Sequence, residues 1–204
     1  GGLEKIGGIK SLYTTGTMVV PQAPSAIAYV EAVKSPKYMM SLSMSMGGQT
    51  MEVQKELFDG KAGKLSGMAP PQDMDAAKIE EVKSKIAHPI SQTAYLDAEM
   101  GYTLKVTRAK RMGEEVVYAL EITDSDGKVT TEYYGADSHL LVAEESTEEG
   151  PQGPMSISAT VSDYKEFGGI MFATKIEQKA GGQNVSVTID SVEVNQKIDA
   201  KVFK

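Results

Sequence analysis

His88 and His139 are the only histidines in the chain, and there is no cysteine. Zinc hydrolases hold two nearby histidines and a carboxylate on the metal, usually in an HExxH or HxxEH pattern on one helix. The two histidines here stand about fifty positions apart and neither sits in such a pattern. His88 precedes Pro89 at the end of a helical run, where a cation meets the carbonyl dipole. His139 opens a strand pattern. Both are read as structural, and no metal site is expected. Acyl-transfer chemistry would need a GxSxG elbow or an ordered Ser/His/Asp set, and neither is present. A P-loop and a dinucleotide fingerprint are also missing, so no cofactor is expected.

Acidic clusters are the remaining candidates. Asp124-Ser125-Asp126-Gly127 has the start of a calcium loop but lacks its third oxygen position and distal glutamate, which leaves a hairpin turn. Glu144-Glu145, with Glu148-Glu149-Gly150 close behind, reads as a solvated acidic loop, with weak calcium binding as the other reading. Acid–base chemistry by paired carboxylates needs two selected partners, and nothing in the sequence selects them. No catalytic residue is nominated, and the chain is expected to be non-catalytic.

The composition points the same way. A chain of 204 residues suits one unit with a core large enough to need no staples. The net charge of −7 disfavours nucleic acid and anionic membrane surfaces as partners. No apolar run approaches the roughly 18 residues of a membrane span. The chain opens Gly1-Gly2-Leu3 without an initiating methionine, so a processed piece with its targeting signal upstream is expected. Apolar volume is supplied by 12 Met against 4 Phe and no Trp. Methionine fills irregular cores and also lines adaptable apolar binding walls.

Period-two alternation dominates the elements that must carry any site. Met40, Leu42, Met44 and Met46 alternate with Ser41, Ser43 and Ser45, so strand geometry sends the two sets to opposite faces. After Gly47-Gly48 the alternation resumes, with Met51, Val53 and Leu57 against Glu52, Gln54 and Glu56. Asp59-Gly60 turns the chain again. Further strands are predicted over 11–20, 26–34, 61–68, 102–111, 114–123, 128–134, 139–146, 155–164, 170–178 and 184–194. With 61–68 the weaker candidate, about eleven strands are expected. One segment switches to helical spacing: Met74 to Ala87, with Ile79, Val82 and Ile86 on one face, Asp73 or Asp75 as cap and Pro89 as stop. A second short helix is predicted from Pro89 to about Ala98, with Ile90, Ala94 and Tyr95 inward. The fold class expected is mainly β: one curved antiparallel sheet with helices on its concave face.

Several stretches carry a family resemblance. They are Gly1-Gly2-Leu3-Glu4-Lys5-Ile6 with Ile9-Lys10-Ser11-Leu12, Phe58-Asp59-Gly60-Lys61, Glu132-Tyr133-Tyr134 before His139-Leu140-Leu141, and Val192-Glu193-Val194-Asn195. With them the chain resembles envelope proteins related to the outer-membrane lipoprotein carriers LolA and LolB. Such domains also occur appended to insulinase-type zinc peptidases. The resemblance implies a single half-barrel domain over 1–204, with a helical insert at about 74–98, around an apolar cavity for acyl chains. It implies a periplasmic, Gram-negative envelope setting and a lipid, an acylated ligand or an envelope lipoprotein as partner. In the family a full helix precedes the Gly-Gly, and here almost nothing does. On this reading the cavity would be bordered by Met40, Leu42, Met44, Met46, Val53, Leu57, Ile79, Val82 and Ile86. An accessory peptidase module and a structural envelope domain with a filled core are the alternatives.

Overall fold

The computed structural model describes residues 2–150 and 153–204. The chain begins with a short helix, α1 (Gly2–Gly7), and continues through β1 (Ser11–Val19), β2 (Ile27–Lys34), β3 (Lys37–Met46), β4 (Gln49–Phe58), β5 (Gly63–Gly67) and β6 (Gln72–Asp73). Helix α2 (Ala76–Ala87) and two 3-10 turns, Ser91–Leu96 and Ala98–Met100, interrupt the strands. Then come β7 (Thr103–Met112), β8 (Glu115–Thr123), β9 (Val129–Gly135), β10 (Leu141–Gly150), β11 (Gly153–Ser162), β12 (Lys165–Phe167), β13 (Ile170–Phe172), β14 (Lys175–Ala180) and β15 (Gln183–Val194). A last 3-10 turn spans Ala200–Phe203.

Thirteen strands form one antiparallel sheet in the order β6-β5-β4-β3-β2-β1-β15-β14-β11-β10-β9-β8-β7, while β12 and β13 form a separate ribbon. The sheet is curved and open, not closed into a barrel. The predicted class is therefore observed, with more strands than the pattern indicated. The segment 170–178, read as one strand, is two. It breaks at Ala173-Thr174, where Thr174 donates its N–H to Ser162 and accepts from the Ile189 N–H at 2.8 Å. His139 does not open a strand. It stands in the preceding turn with φ +57, and β10 starts at Leu141. Glu144 and Glu145 lie in β10, not in an acidic loop.

Helix α2 starts where Asp75 accepts the Lys78 N–H at 2.8 Å, a side-chain cap that satisfies one of the free amides of the first turn. Its stripe Ile79, Val82 and Ile86 packs onto the sheet against Leu12, Val33, Tyr38, Phe58, Ile189 and Val192. This side of the sheet is called inner below. Val82 is wholly buried, and burial of an aliphatic side chain of this size contributes roughly 1.5–3 kcal/mol. The stripe thus supplies several kcal/mol that a 12-residue helix could not find in its own propensity.

The outer side has its own small core. Ala32, Met39 and Leu57 are cross-strand neighbours on β2, β3 and β4, and they pack against Ile198 and Phe203 of the C-terminal turn. This corrects the sequence reading of β4, which put Leu57 inward and Glu56 outward. Register slips between Leu42 and Ser43, leaving Val53 as an extra residue. A bulge of one residue reverses which side every following side chain takes. Gln54, Glu56 and Phe58 therefore face inward beside Leu42, Met40 and Tyr38, and Leu57 faces outward beside Met39. Gly67 sits against the bulge: a Cβ there would lie 2.3 Å from the Val53 carbonyl oxygen, with φ at +132, so only glycine fits.

Phe58 is the residue where α2, β3 and β4 meet, and it is 2% exposed. Phe58→Ala should destabilise the chain by about 3–5 kcal/mol. Urea denaturation should show this as a lower midpoint with an unchanged slope.

Candidate binding site

The expected cavity wall divides into three groups in the structure. Met40, Ile79, Val82 and Ile86 join one packed cluster between α2 and the sheet. Leu42 and Met44 continue the inner side of β3 and are half-buried, whereas Met46 at the hairpin tip is 49% exposed. Leu57 lies on the outer side, as described above. Val53 stands at the bulge and lines a cleft. Open space occurs at the two ends of α2. A cleft of about 380 Å³ near its first turn is bordered by Val53, Leu65, Pro70, Glu56 and Lys78. A second, of about 310 Å³, is bordered near its last turn by Pro36, Phe58, Lys83 and Ile86.

Carboxylates also point into this inner side, and the sequence reading did not foresee them. Glu31 on β2 accepts hydroxyl hydrogen bonds from Tyr29 at 2.8 Å and Tyr38 at 2.9 Å. Burial, and then the Glu31 charge, push both phenols far above their ordinary range, so they remain donors. Glu56, two strands away across Met40, is 3% exposed. Its Oε1 receives Lys78 Nζ of α2 at 3.0 Å and Gln54 Nε2 at 3.1 Å. Burial pulls the Lys78 ammonium down, but hydrogen bonds to Glu56 and Glu81 outweigh it and hold the group above its usual value.

The other half of the sheet repeats the device without a cation. Glu132 on β9 is 1% exposed and accepts from the hydroxyls of Tyr95 at 2.8 Å and of Tyr134, with Gln92 Nε2 at 3.5 Å. Tyr95 and Gln92 belong to the 3-10 turn Ser91–Leu96, so this carboxylate ties that turn to the sheet. Burial first, and Glu132 second, raise the Tyr95 phenol strongly, and the same causes push Tyr164 up to about 12. Glu132 and Glu56 share a setting that only the structure shows. Each occupies an inward position between hydrogen-bonding or apolar neighbours, where a charge is expensive unless paired.

His88 lies at the end of α2, its Nε2 3.3 Å from Asp97 and its Nδ1 3.3 Å from the Thr93 hydroxyl. Among the described residues, no three of His, Asp and Glu gather as metal ligands, and no helix is long and apolar enough to cross a membrane. Asp124 accepts the N–H groups of Asp126 and Lys128, both at 2.9 Å, and so closes the β8–β9 hairpin as predicted.

No family model matches the sequence, and no curated protein matches it. Solved structures do match its shape. A LolA superfamily protein from Nitrosomonas europaea superposes with a TM-score of 0.60 at 13% identity, over 99% of this chain and 95% of that one. The chain has a LolA-like fold. A DUF1329 family protein from Desulfovibrio piger aligns with a TM-score of 0.61 at 11% identity, over 98% of this chain and 92% of that one. An outer-membrane lipoprotein-sorting protein domain from Vibrio parahaemolyticus gives 0.60 at 11% identity, with the same coverage. Within the LolA-like sheet, identity this low speaks for the path of the backbone and not for any shared residue.

Glu144 stands across from Glu132 on the inner side of β10. Burial, then the Glu132 charge, raise its carboxyl above the usual glutamate range, with Lys128 offsetting part of the effect. The folded chain therefore holds this proton to higher pH than the unfolded chain does. Stability falls as pH rises from the ordinary glutamate value through the raised one. Glu144→Gln should be more stable than the parent at neutral pH and equal to it near about pH 4, where the unfolded glutamate is also largely protonated. Thermal melts across that range measure the difference. A parent more stable than the variant at neutral pH would contradict this ordering.

Proposed function

We propose that this chain is a non-catalytic binding or carrier module of a Gram-negative cell envelope, acting in the periplasm on an acylated or otherwise apolar ligand. The observation that carries the reading is the LolA-like sheet with a cleft at each end of α2, the one at the last turn mainly apolar and the one at the first turn of mixed character. Met40, Leu42, Met44, Met46 and Val53 from the sheet, with Ile79, Val82 and Ile86 from the helix, form the proposed contact set. Leu42 and Met44 are half-buried and extend past the helix, so they offer apolar surface to an incoming chain. Each acyl methylene withdrawn from water there contributes roughly 0.8 kcal/mol. Methionine side chains adapt to chains of different length at little cost. An acylated envelope protein or a free lipid would both supply such a chain.

A fluorescent fatty acid should bind in the micromolar range, about −8 kcal/mol. Leu42→Asp should abolish the signal while far-ultraviolet circular dichroism stays at the parent's. Met44→Leu, which keeps volume and apolarity, should leave both binding and folding close to the parent's. If acyl probes of several lengths all fail to bind the parent, the carrier reading is wrong.

A further inference from the structure

The cleft at the first turn of α2 contains an unfinished polar site. The Glu56 side chain is 4% exposed, and both of its donors, Lys78 and Gln54, reach the same oxygen, Oε1. Its Oε2 is buried and has no hydrogen-bond partner among the described residues. Lys78 Nζ lies 3.0 Å from Glu56 Oε1 and 3.2 and 3.1 Å from the two oxygens of Glu81, and it does not partner Glu56 Oε2. Around it three carboxylates, Glu31, Glu56 and Glu81, meet two ammonium groups, Lys78 and Lys85. Glu31, whose charge reaches the same tyrosines as that of Glu56, is held by hydroxyls and not by a cation. A buried, half-satisfied carboxylate is costly, and a group that brings both a positive charge and an N–H hydrogen would complete it. The rest of the wall combines apolar or small side chains, Val53, Leu65, Ala69 and Pro70, with the polar Ser66 and Gln72.

We propose that this cleft binds a primary ammonium group carried on a short aliphatic arm, with the ammonium on Glu56 and the arm along Val53 and Leu65. The site does not rest on the acyl-carrier reading, because the cleft and the unsatisfied oxygen are there whatever occupies the rest of the inner side. The same chemistry belongs to a free alkylamine and to an amine-bearing lipid head group. A quaternary ammonium has the charge without the hydrogen, an alcohol has a hydrogen without the charge, and a carboxylate has the wrong sign.

The test titrates the full chain with n-hexylamine, hexanol, hexyltrimethylammonium and hexanoate at neutral pH, by calorimetry and by methyl NMR. Hexylamine should bind saturably and at least tenfold tighter than the other three. The methyl signals of Val53 and Leu65 should shift with it, while that of Ile157 on the far half of the sheet stays fixed. Glu56→Gln, which keeps shape and removes the charge, should weaken hexylamine at least tenfold. Should that variant fail to fold, the methyl map of the parent decides alone. Dihexanoyl phosphatidylethanolamine binding tighter than hexylamine would assign the site to a lipid head group, and the reverse order to a free amine. Equal binding of all four hexyl probes, shifts confined to other methyls, or undiminished binding by folded Glu56→Gln would each overturn the proposal. A fatty acid that binds while hexylamine does not would leave the carrier reading standing and this site refuted.

Discussion

An open antiparallel sheet has two sides and two edges, and it is stable only where something covers the apolar parts. Here different segments do the covering. On the inner side α2 lies over β2, β3 and β4 through Ile79, Val82 and Ile86, and the 3-10 turn Ser91–Leu96 lies over the far half through Tyr95. On the outer side the C-terminal turn brings Ile198 and Phe203 onto Ala32 and Met39. The β6 edge is two residues long and runs directly into the loop before α2. The β7 edge is long, and it carries Lys105, Arg108, Lys110 and Arg111 together with a bulge between Val106 and Arg108. Charged side chains and bulges on an edge oppose pairing with another sheet.

The covering pieces are held by polar ties as well as by apolar contact. Lys78 anchors the first turn of α2 to Glu56, and Glu132 anchors the 3-10 turn through Tyr95 and Gln92. These ties do different work from the packing. Apolar stripes slide at little cost, whereas a buried carboxylate with a fixed donor set defines one position. Glu132 reaches that state with neutral donors alone. Burial raises its tyrosine partners, so they keep their protons and continue to donate. Chain ends are stitched similarly: the Asn195 side chain accepts the Lys10 N–H at 2.7 Å and donates to the Gly8 carbonyl at 3.1 Å, closing β15 against the start of β1.

Much of this was legible in the residues. The alternation over Met40–Met46, the turn at Gly47-Gly48 and the helical spacing of Ile79, Val82 and Ile86 are local signals, and the elements formed as their periods require. What escaped is non-local. The bulge at Val53 has no mark of its own in the sequence, since its cause is the close approach of Gly67 on the next strand. That single extra residue exchanged the sides of Glu56 and Leu57, and with them the chemistry of the cleft. The outer core escaped for a related reason, because Met39 needs Phe203, far along the chain, to be buried. The carboxylate anchors escaped because a glutamate in an alternating strand reads as solvent-facing until its partners, Lys78 or Tyr95, are seen above it.

The position of α2 constrains how an apolar ligand could enter. Of its three-residue stripe only Val82 is fully buried, so lifting the helix would forfeit roughly 1.5–3 kcal/mol there and less at the half-buried Ile79 and Ile86. A twelve-carbon chain taking its place would recover about 10 kcal/mol at roughly 0.8 kcal/mol per methylene. On the carrier reading proposed above, binding would begin where nothing has to be lifted, in the clefts at the two ends of the helix. Pro70-Pro71 before α2 and Pro89 after it mark where the helical path stops, so displacement would act on the helix as a unit. The tie from Lys78 to Glu56 then opposes movement at the first turn, and the contact of His88 with Asp97 opposes it at the last. A cation brought to the other oxygen of Glu56, Oε2, would leave Lys78 on Oε1, so the first of these ties would persist as such a ligand bound.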